Sequence, residues 1–315
     1  MDNLIFCLNA TIPIFLLMVL GYIFKKIGVF NDNYIKITNS FVFKVCLPVL
    51  VFEDLAGEDF GKMWDGKYVI FCFAVTCICI LISLLFSFCF KKGENVQGEF
   101  IQCSYRSSAA LLGIGFIQNI YGTSGMAPLM ILGTVPLYNV VAVIVLSLLK
   151  PDREGLDKKL IKKTIIGIAT NPIILGILIG MLWSLIKIPE PVIMNKTLKY
   201  IANLTTPLGL MAMGAGFSFE KCTSSLKPAI VSTFLKLVMW CAIFLPIAYR
   251  FGYTKDRLIA ILVMLGSPTT VSCYIMAKNM GHEGTMSTTT VMLTSLLSAF
   301  TLTGWLYVLK YWGLV

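Results

Sequence analysis

Charged side chains are scarce in this chain. Only 13% of its 315 residues are Asp, Glu, Lys or Arg, about half the proportion typical of soluble domains. There is one histidine, His282, and all sixteen acidic residues lie in loops or at the ends of apolar segments. A nucleophile such as Ser267 would therefore have no base or metal beside it at membrane depth. These absences argue against an enzyme and against a zinc site.

The cysteines do not form the pattern of a redox or metal site. Nine of the ten cysteines lie within or at the ends of apolar segments, and only Cys222 is clearly in a loop. Such cysteines behave as small apolar packing residues. No cofactor is expected, although a coupling ion, sodium or a proton, stays open.

Hydrophobic residues, in contrast, make up 57% of the chain. Stretches close to the roughly 20 residues of a membrane-spanning helix predict an all-α polytopic membrane protein with ten transmembrane helices. The predicted spans are about 4–24, 36–55, 67–90, 100–121, 126–149, 162–186, 198–218, 228–249, 258–279 and 287–309. The first span has no basic segment or cleavage site, so it is expected to be a retained helix rather than a signal peptide.

The excess of basic residues is typical of loops on the cytoplasmic face of a membrane protein. The net charge is +10, and with the N-terminus outside the predicted cytoplasmic loops hold 14 Lys and Arg against nine in the external loops. This distribution favours both termini outside a cell membrane. Membrane lipids are therefore the expected partners, and no nucleic acid is needed to explain the charge.

Proline and glycine recur at a constant offset of 159 residues. The matching pairs are Pro13 and Pro172, Gly21 and Gly180, Pro48 and Pro207, Gly57 and Gly216, Ser108 and Ser267, and Gly122 and Gly281. The offset predicts two five-helix repeats, residues 1–150 and 162–315, joined by a basic cytoplasmic linker, residues 151–161. Because five is odd, the second repeat is inserted in the opposite direction, and a 5+5 inverted repeat is typical of transporters.

The fourth and ninth spans are not ordinary membrane helices. Residues 104–122 are polar, small and glycine-interrupted, and residues 265–281 contain Pro268 among four hydroxyl residues. Non-helical backbone at membrane depth survives only where it is buried in protein or lines a wet cavity. Matching breaks in helices 4 and 9 predict a substrate site where they meet. Close helix packing through small residues is the alternative explanation.

Basic residues are the charges found inside the apolar spans. They are Lys44, Arg106 and Lys236, without acidic partners in the spans. Buried ionisable groups in membranes are costly and usually functional, and unpaired cations suit an anionic ligand. Two alternatives stay open: Arg106 could extend to the cytoplasmic interface, and Lys236 could have a structural role.

An ordered set of motifs resembles the auxin efflux carrier family, whose bacterial members include proteins named as malonate and malate carriers. The set is Pro13 with Gly21-Tyr22 and Gly28, Leu47-Pro48 with Phe52, Leu111 to Gly115 with Tyr121-Gly122, Leu137-Tyr138-Asn139-Val140, Asn171-Pro172, Pro207-Leu208 with Gly214-Ala215, and Ser267-Pro268-Thr269 with Ala277-Lys278 and Ser287-Thr288. The resemblance covers nearly the whole chain.

The resemblance implies a fold similar to that of bile acid and sodium symporters. Broken helices 4 and 9 would cross near the membrane centre, and an elevator-like motion would carry the crossover bundle past a scaffold of helices one, two, six and seven. A homodimer would form through the scaffold helices. The chain departs from the family pattern at Ser108 and Gly115, where many members have Asn and a Gly-x-Pro, and at Cys273, where plant members have a second proline.

These observations predict a secondary transporter for a small organic anion, a carboxylate or an auxin-like acid. A sodium- or proton-coupled cation transporter on the same fold is the alternative, with a channel less favoured. Cation exchange needs a carboxylate at the crossing, and residues 100–121 and 258–280 contain no Asp or Glu. The predicted substrate-binding residues are Lys44, Arg106, Ser107, Ser108, Gly113, Gly115, Asn119, Asn139, Pro268, Thr269, Thr270, Ser272 and Cys273.

Overall fold

The described part of the chain is built from helices. The computed structural model describes residues 2–56, 65–90, 96–109, 117–118, 120–121, 125–150, 166–167, 169–186 and 189–315. The helices are α1 Asp2–Lys26, α2 Asp32–Phe41, α3 Leu47–Ala56, α4 Gly66–Ser87, α5 Gln97–Tyr105, α6 Ala127–Leu148, α7 Pro172–Ile186, α8 Val192–Asn203, α9 Thr205–Ala215, α10 Phe219–Phe234, α11 Trp240–Arg250, α12 Lys255–Gly266, α13 Ser272–Asn279 and α14 Thr285–Tyr311.

Several of these helices are suited to a membrane. Among the described residues, five helical segments are long and apolar enough to cross one, namely Asp32–Ala56, Gly66–Ser87, Ala127–Leu148, Ser225–Arg250 and Thr285–Tyr311. Pro172–Ile186 is a shorter apolar helix. The predicted all-α class is confirmed for the described residues, with helices suited to span a membrane, whereas the ten-span count and the 5+5 repeat stay predictions. The predicted linker, residues 151–161, lies outside the described residues.

Two close helix pairs have related contacts. Helix α1 packs on α9, and α3 packs on α7. A Cβ atom added to Gly21 would lie 2.1 Å from the carbonyl oxygen of Met211, and one added to Gly180 would lie 3.1 Å from the backbone of Phe52. Adding 159 to 21 gives 180, and adding 159 to 52 gives 211. The two contacts are therefore counterparts under the sequence offset, as an internal two-fold symmetry requires.

Helical irregularities precede two of the prolines that the offset relates. A π-helical turn, Val42–Cys46, joins α2 to α3 just before Pro48. A turn at Leu204 separates α8 from α9 just before Pro207. A proline ring clashes with the carbonyl group four residues earlier, and a π-helical turn relieves such a clash by inserting one residue. A second π-helical turn, Leu235–Met239, joins α10 to α11 and carries Lys236.

Short helices occupy the interior. Residues 98–105 of α5 and 258–266 of α12 are buried on every side. Helices α4, α6, α10 and α14 pack against α5, and α6 and α14 also pack against α12. The two interrupted segments that follow α5 and α12 are therefore held in the protein interior.

Candidate functional site at the helix crossing

Two interrupted helices meet inside the protein. Helix α5 ends at Tyr105 and is followed by non-helical residues 106–108, and α12 ends at Gly266 and is separated from α13 by residues 267–271. The backbone N–H of Ser108 donates a 2.9 Å hydrogen bond to the carbonyl oxygen of Pro268. The described residues thus contain two non-helical segments that contact each other, whereas the glycines that predicted a break in the fourth span lie outside them.

Pro268 explains the break after α12. Because proline has no N–H, the carbonyl group of Met264 has no helical donor four residues later. Side chains from other helices take its place: the carbonyl oxygen accepts bonds from the Ser107 hydroxyl, the Tyr138 hydroxyl at 3.4 Å and the Lys236 ammonium at 3.3 Å. The helix end is therefore satisfied from outside its own segment.

Lys236 is a cap for the broken helix. Its side chain is fully buried, and its ammonium group donates to the Leu265 carbonyl oxygen at 2.7 Å and to the Ser107 hydroxyl. A helix C-terminus carries a partial negative charge, so a cation there is favourable. Among the described residues no carboxylate pairs with this lysine. Its structural role, left open by the sequence, is therefore visible in its contacts.

The end of α5 is likewise satisfied by donors from outside its own segment. The Thr269 hydroxyl donates to the carbonyl oxygen of Cys103 at 2.9 Å, and the Trp240 indole donates to that of Ser104 at 2.7 Å. The Gln102 amide donates to the carbonyl oxygen of Cys273 at 2.9 Å. Each break therefore supplies donors for the helix end of the other, and the crossing is held by side chains rather than by a continuous helix.

Arg106 lies at the centre of the crossing. Its side chain is only 2% exposed. One terminal nitrogen, Nη2, donates to Asn139 Oδ1 at 2.8 Å and to Ser272 Oγ at 3.0 Å, and Nη1 contacts the Met276 sulfur at 2.8 Å. The buried Nε has no hydrogen-bond partner. The side chain therefore stays inside the crossing instead of extending to the cytoplasmic interface.

The positive charge of Arg106 has no negative group to balance it among its described hydrogen-bond partners. Its described hydrogen-bond partners are neutral, and Ser272 is the first residue of α13. The N-terminus of a helix carries a partial positive charge. The guanidinium group therefore lies beside a positive helix end, in contrast to Lys236, which lies at a negative one. An anion bound here would meet both positive groups and the free Nε.

Glu99 is a buried carboxylate close to the crossing, directly before the range in which the sequence contains no acid. Both oxygens are occupied: Oε1 accepts from the Gly284 N–H at 2.8 Å, and Oε2 accepts from the N–H and hydroxyl of Ser287, each at 2.8 Å. This geometry is an N-terminal cap of α14. Sequence reasoning missed its burial because Glu99 lies in the first turn of α5, where acidic residues are common.

The crossing reaches the surface at two residues. Within 98–109 only Ser108 is partly exposed, and within 258–277 only Thr270 is. The Thr270 hydroxyl lies 3.1 Å from Ser272 Oγ, which accepts the bond from Arg106. A chain of polar groups thus leads from the accessible part of the crossing to the guanidinium group.

The other predicted site residues divide into three groups. Lys44 lies in the first π-helical turn with an exposed side chain, and none of the crossing's hydrogen bonds in the described part of the chain involves it. Cys273 is fully buried in α13. Gly113, Gly115 and Asn119 lie outside the described residues. The roles of all the predicted residues in substrate binding stay predictions, and the described residues hold no group of three or more potential metal ligands.

Sequence comparison relates the chain to membrane transporters. The family described as "Membrane transport protein" matches residues 6–306. "Uncharacterized transporter YfdV" of Escherichia coli (strain K12) is 22% identical over 311 residues, 97% of this chain and 98% of that protein. "Putative malonate transporter" of Rhizobium meliloti (strain 1021) is 20% identical over 313 residues, 96% of this chain and 95% of that protein.

Proposed function

Because the chain belongs to the membrane transport protein family, the family of the auxin efflux carriers, we propose that it is a secondary transporter for a small organic anion. The family and the names of its relatives indicate a transporter rather than an enzyme. We further propose that the cargo is a small carboxylate and that it is carried by alternating access. The anion would cross a cytoplasmic membrane in a protein with both termini outside.

The observation that carries the proposal is the environment of Arg106. A buried guanidinium group with an unpartnered Nε lies beside the N-terminus of α13, and its described partners are neutral. Burying a cation without a counter-ion is costly. A carboxylate between Arg106 and α13 would accept charge-assisted hydrogen bonds and satisfy both positive groups. Partly exposed Thr270 and Ser108 would line its approach.

The few hydrogen bonds between α13 and the predicted scaffold helices support an alternating-access mechanism, because they can break and re-form as the helices move. Helix α13 is joined to the predicted scaffold by Asn279, which donates to the Asn39 carbonyl oxygen at 3.0 Å, and by Tyr274, which donates to the Ala212 carbonyl oxygen at 3.5 Å. An individual hydrogen bond of this kind contributes about 0.5–1.5 kcal/mol. An elevator-like motion of the crossing past α2 and α9 would break these bonds at modest cost.

Cation exchange is disfavoured by the position of Glu99. Such an exchanger needs a carboxylate that is free to bind the proton or sodium ion. Both oxygens of Glu99 are occupied by the N-terminus of α14, and the interrupted segments themselves contain no acidic residue.

Counterflow in proteoliposomes tests the proposal. Purified protein is reconstituted, the vesicles are loaded with unlabelled malonate, and uptake of labelled malonate, succinate and acetate is measured with protein-free vesicles as the control. Malonate is included because a relative carries that name. A transporter accumulates label above the equilibrium level when unlabelled substrate is inside, whereas a channel does not. Absence of counterflow for a broad set of small carboxylates, with the protein folded, would contradict the proposal.

A further inference from the structure

A concave surface lies away from the crossing, between the C-terminal ends of α11 and α14. Its volume is about 560 Å³, and it is lined by Ala242, Pro246, Tyr249, Arg250, Trp305 and Trp312, among others. Most of the lining is aliphatic or aromatic, with one charged side chain. Because α11 ends at Arg250 and α14 ends at Tyr311, the groove opens at the end of the helical bundle.

The aromatic residues place this end of the bundle at a membrane–water interface. Trp312 is 62% exposed and Tyr249 is 49% exposed. Tryptophan and tyrosine are enriched where lipid headgroups meet acyl chains. The apolar part of the groove, with Ala242 deeper along α11, would then face the acyl-chain region, and Arg250 would lie at headgroup depth.

Arg250 is a cation without an acidic partner among the described residues. The nearby Arg257 differs, because its guanidinium group lies 3.1 Å from a carboxylate oxygen of Asp65. Asp256 faces another part of the chain, since a Cβ atom added to Gly125 would lie 3.0 Å from its Oδ2. Arg250 is therefore free to pair with an anion from outside the protein.

The C-terminal residues form one wall of the groove. Leu314 lines it, and its carbonyl oxygen accepts a 3.0 Å hydrogen bond from the N–H of Lys255. Lys255 has φ of 52°, in the left-handed region that is uncommon for residues other than glycine. This hydrogen bond ties the C-terminal residues to the first turn of α12.

We propose that the groove binds one phospholipid, with an acyl chain along the apolar floor and the phosphate on Arg250. The groove and such a lipid have complementary charge and polarity: an apolar groove with a single unpaired cation at the interfacial end matches a molecule that is apolar except for an anionic group at one end. Arginine forms strong charge-assisted hydrogen bonds with phosphate. The site is separate from the crossing and does not depend on which substrate is transported.

Native mass spectrometry of the delipidated full chain, titrated with phosphatidylglycerol, tests this site. Wild-type protein is expected to retain one lipid, and Arg250→Gln is expected to weaken its binding about fivefold, the effect of one cation near a lipid headgroup. Lys310→Gln is the matched control, because Lys310 is an exposed cation at the same end of α14 that does not line the groove. It should bind as wild type does.

Two further measurements separate the phosphate from the acyl chain. Diacylglycerol, which lacks the phosphate, should bind wild type about as weakly as phosphatidylglycerol binds Arg250→Gln. Ala242→Trp, which fills the floor of the groove from an exposed position, should weaken both lipids. Equal phosphatidylglycerol binding by wild type and Arg250→Gln would overturn the proposal, as would a groove occupied by a second copy of the chain, seen as a dimer that Ala242→Trp dissociates.

Discussion

Arg106 and Lys236 are both buried cations, but they lie at opposite ends of helices. Lys236 donates to the last carbonyl groups of α12, whereas Arg106 contacts the first residue of α13. The sequence identified both, because basic residues in apolar segments are rare. It could not assign their roles, since the difference depends on which helix end each side chain reaches after folding. Lys44 has the same sequence signature and an exposed side chain.

Lys236→Met tests the capping role at the residue scale. Methionine keeps much of the volume and removes the ammonium group that donates to the Leu265 carbonyl oxygen at the end of α12. We expect the free energy of unfolding to fall by about 1–3 kcal/mol, measured by thermal unfolding of the purified protein. Lys44→Met, at an exposed position, is the control and should change it by less than about 0.5 kcal/mol. Equal stability of the two variants would refute the cap.

At the scale of elements, the two breaks differ in how well the sequence locates them. Pro268 places the break between α12 and α13 directly. The break after α5 begins at Arg106, before the glycines at 113 and 115 that suggested it. No proline or glycine occurs at 106–108. The helix ends there because Ser107 and Ser108 bond to the opposite segment, which is a tertiary effect that local propensity does not contain.

Pro268→Ala tests whether the break itself is needed. Alanine restores an N–H for the Met264 carbonyl oxygen and favours a continuous helix by about 3 kcal/mol. We expect counterflow to be largely lost while the protein stays folded and monodisperse. Pro246→Ala is the control, because Pro246 lies inside the uninterrupted α11 and its replacement should leave counterflow close to wild type. Full activity of Pro268→Ala would show that the break is dispensable.

At the scale of the whole molecule, the constant offset of 159 residues anticipated related contacts in the two halves. Gly21 against Met211 and Gly180 against Phe52 are such a pair. The offset could not reveal that helices from opposite halves would pair, α1 with α9 and α3 with α7. That choice depends on the shapes of the helix surfaces, and small residues such as Gly21 and Gly180 let the backbones approach closely.

Gly21→Ala and Gly180→Ala test these related contacts. The added Cβ would lie 2.1 Å from the Met211 carbonyl oxygen in the first variant and 3.1 Å from the Phe52 backbone in the second. We expect both to lower stability, by about 1–3 kcal/mol or more for Gly21→Ala and by less for Gly180→Ala. Thermal unfolding followed by size-exclusion chromatography measures this. Gly304→Ala, with open space around it inside α14, should be neutral or slightly stabilising, because alanine favours a helix more than glycine does. An undisturbed Gly21→Ala would contradict the close approach.

Binding of the transported carboxylate to the purified protein tests the central claim most directly. Titration calorimetry would compare wild type, Arg106→Gln and Arg257→Gln, using the small carboxylate that gives the strongest counterflow. The account predicts that Arg106→Gln weakens binding about thirtyfold or more, as expected when one partner of a buried charge pair is removed. Arg257→Gln, which alters only a partly exposed pair with Asp65, should bind as wild type does. Wild-type affinity in a folded Arg106→Gln protein would contradict the account.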